Sequence, residues 1–208
     1  MPDAAGMSRG RAEAFSDGVF AVAITLLIFN VHVPEARGDL TAELLRQWPA
    51  YAAYVASFLT IGVMWINHHR IFTLLARVDS ALLLLNLLLL MCIAFLPFPT
   101  TLLGEHIGQG ADARTAAVAY SLNATLIAIA FGALWVYALN REDVLAPHVD
   151  RDVARSLAPR FMVGTFVYAA SIALAFWSPI AVLPLYALLA IYYTFNQLPA
   201  ALTARQHE

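Results

Sequence analysis

Arg11, Ser16 and Asp17 lie within two helical turns and run directly into the apolar stretch Gly18 to Asn30. An ionised side chain near lipid hydrocarbon costs free energy unless it is paired or faces water, so such residues are candidates for handling ions or for locking helices together. A plainer role suits them too: capping the helix and anchoring it at the membrane interface. Two further polar insertions stand out, the adjacent pair His68-His69 and the lone Asn86 between Leu82–Leu85 and Leu87–Leu90. Paired histidines can bind a metal or respond to pH. Neighbours on a helix point about 100° apart, a poor chelating geometry. The expectation is no metal site, with one histidine in a structural hydrogen bond and the other at the interface. His32, just before Pro34, suits the interface or the mouth of a pore.

The elements that must position these residues follow from composition. The chain has 208 residues, 61% hydrophobic and 12% charged, with a mean hydropathy of +0.71. Soluble domains are nearer one half apolar, so this is a polytopic membrane protein. A formal charge of -2 supplies no basic surface for nucleic acid. The single cysteine, Cys92, lies in an apolar run; it makes no disulfide within the chain and is expected as a small buried hydrophobe. All twelve basic residues other than histidine are arginine. Residues Met1 to Ala12 lack the order of a cleavable signal peptide, so the first helix is expected in the mature protein.

Crossing hydrocarbon takes about 20 apolar residues. Six such stretches can be marked, roughly 13-33, 49-69, 80-103, 115-139, 160-178 and 181-200. The expected fold is all-α, a single six-helix transmembrane domain over 1-208. Pro34 ends the first stretch and Pro49 opens the second. The last two are joined through Trp177 to Pro184 and should form a tight hairpin. With the N-terminus inside, nine arginines fall in cytoplasmic segments and three (Arg37, Arg46, Arg114) outside. The positive-inside rule then places both termini in the cytoplasm of a multi-pass cell-membrane protein, with Arg141 to Arg160 as a cytoplasmic linker.

On the first helix, at about 100° per residue, Phe15, Gly18, Thr25, Leu26, Phe29 and Val33 fall within about 60° of Val22. They form one continuous stripe. Ser16 and Asp17 lie roughly 120–140° away, toward other helices. The stripe is also compatible with ordinary helix packing, in which Gly18 allows close approach and Thr25 bonds back to its own backbone.

Arg11-x-x-x-Phe15-Ser16-Asp17, followed by Ala23-Ile-Thr25-Leu26-Leu27, resembles the first-helix signature of the transmembrane-protein-175 family, the lysosomal potassium channel and its prokaryotic relatives. Trp65-Ile-Asn-His68-His69-Arg70-Ile-Phe72 and Asn86 followed by Phe95-Leu-Pro97-Phe-Pro99-Thr100 are similar to further family segments. The resemblance covers the first half of the chain. It implies a potassium channel in which identical subunits, four in number, surround a pore lined by helix one, with potassium as permeant ion and no other cofactor. The Thr-Val-Gly-Tyr-Gly filter of ordinary potassium channels is absent. By the same resemblance the constriction falls on Val22 and the pore threonine on Thr25, with Leu26 and Phe29 as further lining. Val22 is a methylene shorter than the usual isoleucine and Phe29 bulkier than the usual aliphatic residue, so either can be the narrowest ring. The resemblance also implies that Ser16 and Asp17 hold helix one against helices two and three through Trp65, His68 or His69 and Asn86, with Arg11 completing the charge balance.

Two other functions compete with a channel. A proton- or cation-coupled transporter would use Asp17, Glu13 and His68 as a relay, but the central helices carry no mid-bilayer carboxylate and no interrupted helix pair. An enzyme would need a nucleophile elbow, metal triad or paired catalytic carboxylates, and none is recognisable.

Overall fold

The computed structural model describes residues 8–34, 38–141 and 143–195. In chain order these form α1 (Arg9–Leu26), continued by a 3-10 turn (Leu27–Asn30), then α2 (Leu40–Arg46), α3 (Trp48–Thr73), α4 (Ser80–Phe95), α5 (Pro97–His106), α6 (Ala111–Leu139), α7 (Arg151–Trp177), a second 3-10 turn (Pro179–Ala181) and α8 (Val182–Phe195). Four segments are long and apolar enough to cross a membrane: Arg9–Asn30, Trp48–Thr73, Ser80–His106 and Ala111–Leu139. Two shorter apolar helices follow, Val163–Trp177 and Pro179–Phe195.

The core lies between α3 and α6. α6 packs on α7, α4 and α5, while α3 packs on α8, α5 and α1. Ile61 and Phe72 of α3, Leu82 and Leu89 of α4, and Tyr120 and Trp135 of α6 are sealed between them. Gly104 lets α5 close onto the start of α3, because a Cβ there would stand 3.1 Å from Ala50 Cα. Hydroxyls stitch the same region: Ser57 Oγ lies 2.9 Å from Thr100 Oγ1 and 3.0 Å from the Tyr120 hydroxyl. α1 sits on the flank, against α3 and α4. In its most apolar window only 28% is buried within the chain, against 50% for α6. An apolar helix so little covered must face lipid or another subunit.

Several boundaries differ from the sequence expectation, each for a local reason. The third apolar stretch breaks at Leu96, because Pro97 lacks the N–H that would continue the α4 ladder. The charged segment expected as a linker up to Arg160 is already helical from Arg151, where Asp150 accepts from the Asp152 amide at 3.0 Å. Hydropathy marks where a helix turns apolar, not where it begins. α6 likewise starts at Ala111, after Gly110 takes a φ of 61° that favours glycine. The short α2 is capped by Asp39, which accepts from Thr41 N at 2.9 Å. The expected end of the sixth stretch, beyond Phe195, lies outside the described residues.

One end of the bundle is tied by polar groups. The α3–α4 and α6–α7 connections pair as a two-bond bridge, Ala76 N to Val144 O at 2.8 Å and Ala146 N to Leu74 O at 2.9 Å. Asp79 caps α4 through Leu82 N at 2.9 Å and accepts from the Tyr137 hydroxyl of α6 at 2.7 Å. Arg77 and Arg141 both reach Asp143, at 3.2 and 3.4 Å. Arg9 of α1 donates to Leu75 O at 2.9 Å, joining α1 to the same cluster.

Burial works against ionisation of Asp79, but the Leu82 amide, the Tyr137 hydroxyl, Arg141 and Arg77 outweigh it and hold the carboxyl below its usual range. A carboxylate whose folded-state value is depressed contributes stability above its unfolded value and loses it as pH falls through the folded one. The melting temperature of the detergent-purified protein should therefore stay level from neutrality to about pH 5 and drop below about pH 4. Asp79→Asn keeps a capping oxygen but no charge, and should lower the neutral plateau and flatten the acid limb. An acid limb identical in wild type and variant would assign it to other carboxylates.

Candidate functional site: the two faces of the first helix

α1 divides into a buried and an uncovered face. Ala12, Ser16, Phe20, Ala23 and Leu27, at four-, four-, three- and four-residue steps, point into the bundle and are almost fully covered. This is the spacing of one helical stripe.

The polar centre of that face is Ser16, which is fully buried. Its hydroxyl donates to Ala12 O at 2.9 Å and accepts from Asn86 Nδ2 at 3.0 Å. With the amide nitrogen so committed, Asn86 Oδ1 is left to face His68 Nε2 at 2.9 Å. Donor-acceptor accounting then assigns the His68 proton to Nε2. The result is a directed chain, His68 to Asn86 to Ser16 to the α1 backbone, crossing three helices. The His68 ring is stacked on Phe72 at 4.2 Å and meets the Phe20 edge at 5.3 Å.

A second row runs along the outside of the α1–α3 contact. Trp65 Nε1 donates to Asp17 Oδ1 at 2.8 Å, and His69 Nδ1 meets Glu13 Oε1 at 2.7 Å. Four residues down α3 match four residues up α1, as antiparallel helices require. The two histidines therefore diverge, His68 into the core and His69 to Glu13. Arg11, expected to complete the charge balance, is exposed and has no hydrogen bond or ion pair among the described residues. Arg9 is the arginine that ties α1 to the bundle, because side chains two positions apart point to nearly opposite sides of a helix. Glu13, a relay residue in the transporter alternative, belongs instead to this row; its spacing of four from Asp17, matched by that of Trp65 and His69, is the sequence signal for it.

The opposite face is uncovered. Phe15 is 56% exposed, Val22 57%, Leu26 40% and Phe29 72%. Thr25 is exposed as well. Gly18, which ordinary packing of the stripe would use for close approach, makes none among the described residues of the protomer, since a Cβ there would meet nothing within 4 Å. Thr25 does bond back to its helix: its hydroxyl lies 2.9 Å from both Ala21 O and Val22 O. With the proton directed inward, the Oγ1 lone pairs point away from the helix.

Above Leu26 the winding tightens into the 3-10 turn. Leu27 is fully buried, Thr101 of α5 bonds to Asn30, and His32 Nε2 lies 3.2 Å from Glu105 Oε1. In a 3-10 helix residues three apart eclipse one another. Phe29 thus stacks over Leu26, where regular α-helical winding would place it about 20° from Val22.

Asn86→Leu removes two bonds at once and strands the Ser16 and His68 groups, so it should destabilise the protein by about 1–3 kcal/mol. Trp65→Phe, in the half-exposed outer row, should cost about 1 kcal/mol or less. Unfolding in detergent, followed by size-exclusion or fluorescence melts, compares them. An Asn86→Leu protein as stable as wild type would show that the chain contributes no stability.

Residues 11–97 match the family described as "Endosomal/lysosomal potassium channel TMEM175", a range that holds both rows and the uncovered stripe. A potassium channel of Streptomyces collinus is 49% identical over 192 residues, covering 91% of this chain and 93% of its own length. A potassium channel of Chamaesiphon minutus is 43% identical over 191 residues, covering 90% and 94%. The crystal structure of a lysosomal potassium-selective channel TMEM175 homolog from Chamaesiphon minutus superposes with a TM-score of 0.82 at 41% identity, over 90% of this chain and 97% of that one. The extent of these likenesses, across nearly the full length of each partner, establishes that the chain is a membrane protein of the TMEM175 family.

Proposed function

We propose that the chain is the subunit of a potassium-selective cation channel, with six membrane spans, both termini in the cytoplasm of the host cell, and four copies placing the uncovered face of α1 around a central path. The observation that carries the proposal is the division of α1. One face is committed to α3 and α4 by buried hydrogen bonds, while the other presents Val22, Thr25, Leu26 and Phe29 to whatever adjoins the protomer. The names of the relatives, potassium channels of two bacteria, agree with it.

The chemistry follows from the side chains. Four aliphatic groups around an axis exclude water when close, so the ring blocks ions by dewetting. When wide enough for a partly dehydrated ion, it favours potassium, which holds its water less tightly than sodium. The outward lone pairs of Thr25, one turn from Val22, replace part of the lost hydration. Phe29 stacked over Leu26 adds a second apolar level nearer the outer end. Among the described residues no three histidine, cysteine or acidic side chains cluster as a metal would need. Permeation in this reading uses α1 alone.

Liposomes holding the purified protein, with potassium, sodium and proton flux measured separately, test the proposal. Val22→Asn should raise potassium flux by wetting the ring, and Thr25→Ala should narrow the potassium over sodium ratio by about tenfold, the equivalent of one hydrogen bond of about 1.4 kcal/mol. Unchanged discrimination in both variants would remove α1 from the permeation path. Saturable exchange coupled to protons would replace the channel by a transporter.

A further inference from the structure

We propose that Arg11 forms a ring of positive charge at the inner mouth of this path and makes the conductance inwardly rectifying, an inference that rests on α1 lining the pore as proposed above. Arg11 precedes Val22 by eleven residues, which turns it only about 20° from Val22 and sets it about 16 Å further along the helix. It therefore belongs to the uncovered stripe. It is exposed and has no hydrogen bond or ion pair among the described residues.

The charged neighbours on α1 are all engaged elsewhere. Arg9, about 140° away from Val22 by the same winding, donates to Leu75 O at 2.9 Å and lies 3.4 Å from Thr73 O. Glu13 lies about 180° and Asp17 about 140° from Val22, where they meet His69 and Trp65 on the side turned away from the stripe. Among the described residues the guanidinium of Arg11 is thus the one charged α1 side chain on the face that four copies would turn inward. Toward the other end of the stripe, among the described residues, Glu105 is paired with His32 at 3.2 Å. Among the described residues, the stripe carries an unpaired positive charge at one mouth only.

A ring of charge depletes cations in the mouth it surrounds, and low-dielectric walls focus that field. For four charges about 10 Å from the axis in about 0.15 M salt, the local potassium concentration falls about twofold. Ions entering from the cytoplasm draw on this depleted pool, whereas ions entering from outside do not. Outward current is therefore the smaller of the two.

Excised patches from expressing cells, bathed in symmetric KCl at about 0.15 M, test the inference. Wild type should pass about twofold less outward than inward current at equal and opposite voltages. Arg11→Gln should make the relation linear by raising the outward limb about twofold, and Arg11→Lys should retain the wild-type shape. In about 1 M KCl, where screening shortens to about 3 Å, wild type should become linear as well. That last measurement needs no variant. Rectification that ignores salt, or an Arg11→Gln current–voltage relation that superimposes on wild type while Val22→Asn still alters the conductance, would overturn the ring and leave the pore assignment intact. If neither Val22→Asn nor Arg11→Gln alters the conductance, the pore assignment fails with it. An Arg11→Gln effect confined to membrane insertion would make Arg11 a lipid anchor instead.

Discussion

The orientation of α1 about its own axis depends on three polar side chains that have nowhere else to go. Inside a bilayer a serine hydroxyl, a carboxamide and an imidazole must find partners within the protein, because no water is present to take their place. Ser16, Asn86 and His68 answer one another across α1, α4 and α3. Apolar side chains alone would hold α1 against the bundle about equally well over a range of rotations, since lipid is as good a neighbour as leucine. The hydrogen-bonded chain removes that freedom. Which residues are left uncovered is a consequence of which three are locked.

The two ends of α1 are secured by different means. At the Arg9 end the helix is tied into the clamp formed by the α3–α4 and α6–α7 connections, where Asp79, Tyr137, Arg77, Arg141 and Asp143 interlock. At the other end the winding tightens and Leu27 and Asn30 are held against α5. Between these fixtures the uncovered face consists of side chains on a regular helix, with no irregular backbone exposed. This satisfies the demand that backbone polar groups be paired within the membrane.

How much of this was legible in the residues depends on the kind of signal. The spans were legible because bilayer thickness imposes a length. The uncovered stripe was legible because a 3.6-residue repeat converts spacing into direction, and Val22, Thr25 and Phe29 carried it. The partners of Asp17 and His69 were not, because the register between two helices is set by packing along their whole length. The starts of α6 and α7 were hidden by polar first turns that read as loop. The tightened turn at Leu27–Asn30 had no Gly or Pro within it to announce it, so the position of Phe29 over Leu26 came only from the structure. Arg9 and Arg11 illustrate the finest limit: two identical residues two positions apart, one bonded to Leu75 O and the other exposed.

The hydroxyl of Thr25 has a further consequence. Its proton is shared between two carbonyls of its own helix, so toward the uncovered side it is an acceptor only. Water beside it must approach hydrogen-first, and a chloride ion finds no donor there. The small side chain thus gives the uncovered face oxygen lone pairs without placing any carboxylate in the hydrocarbon.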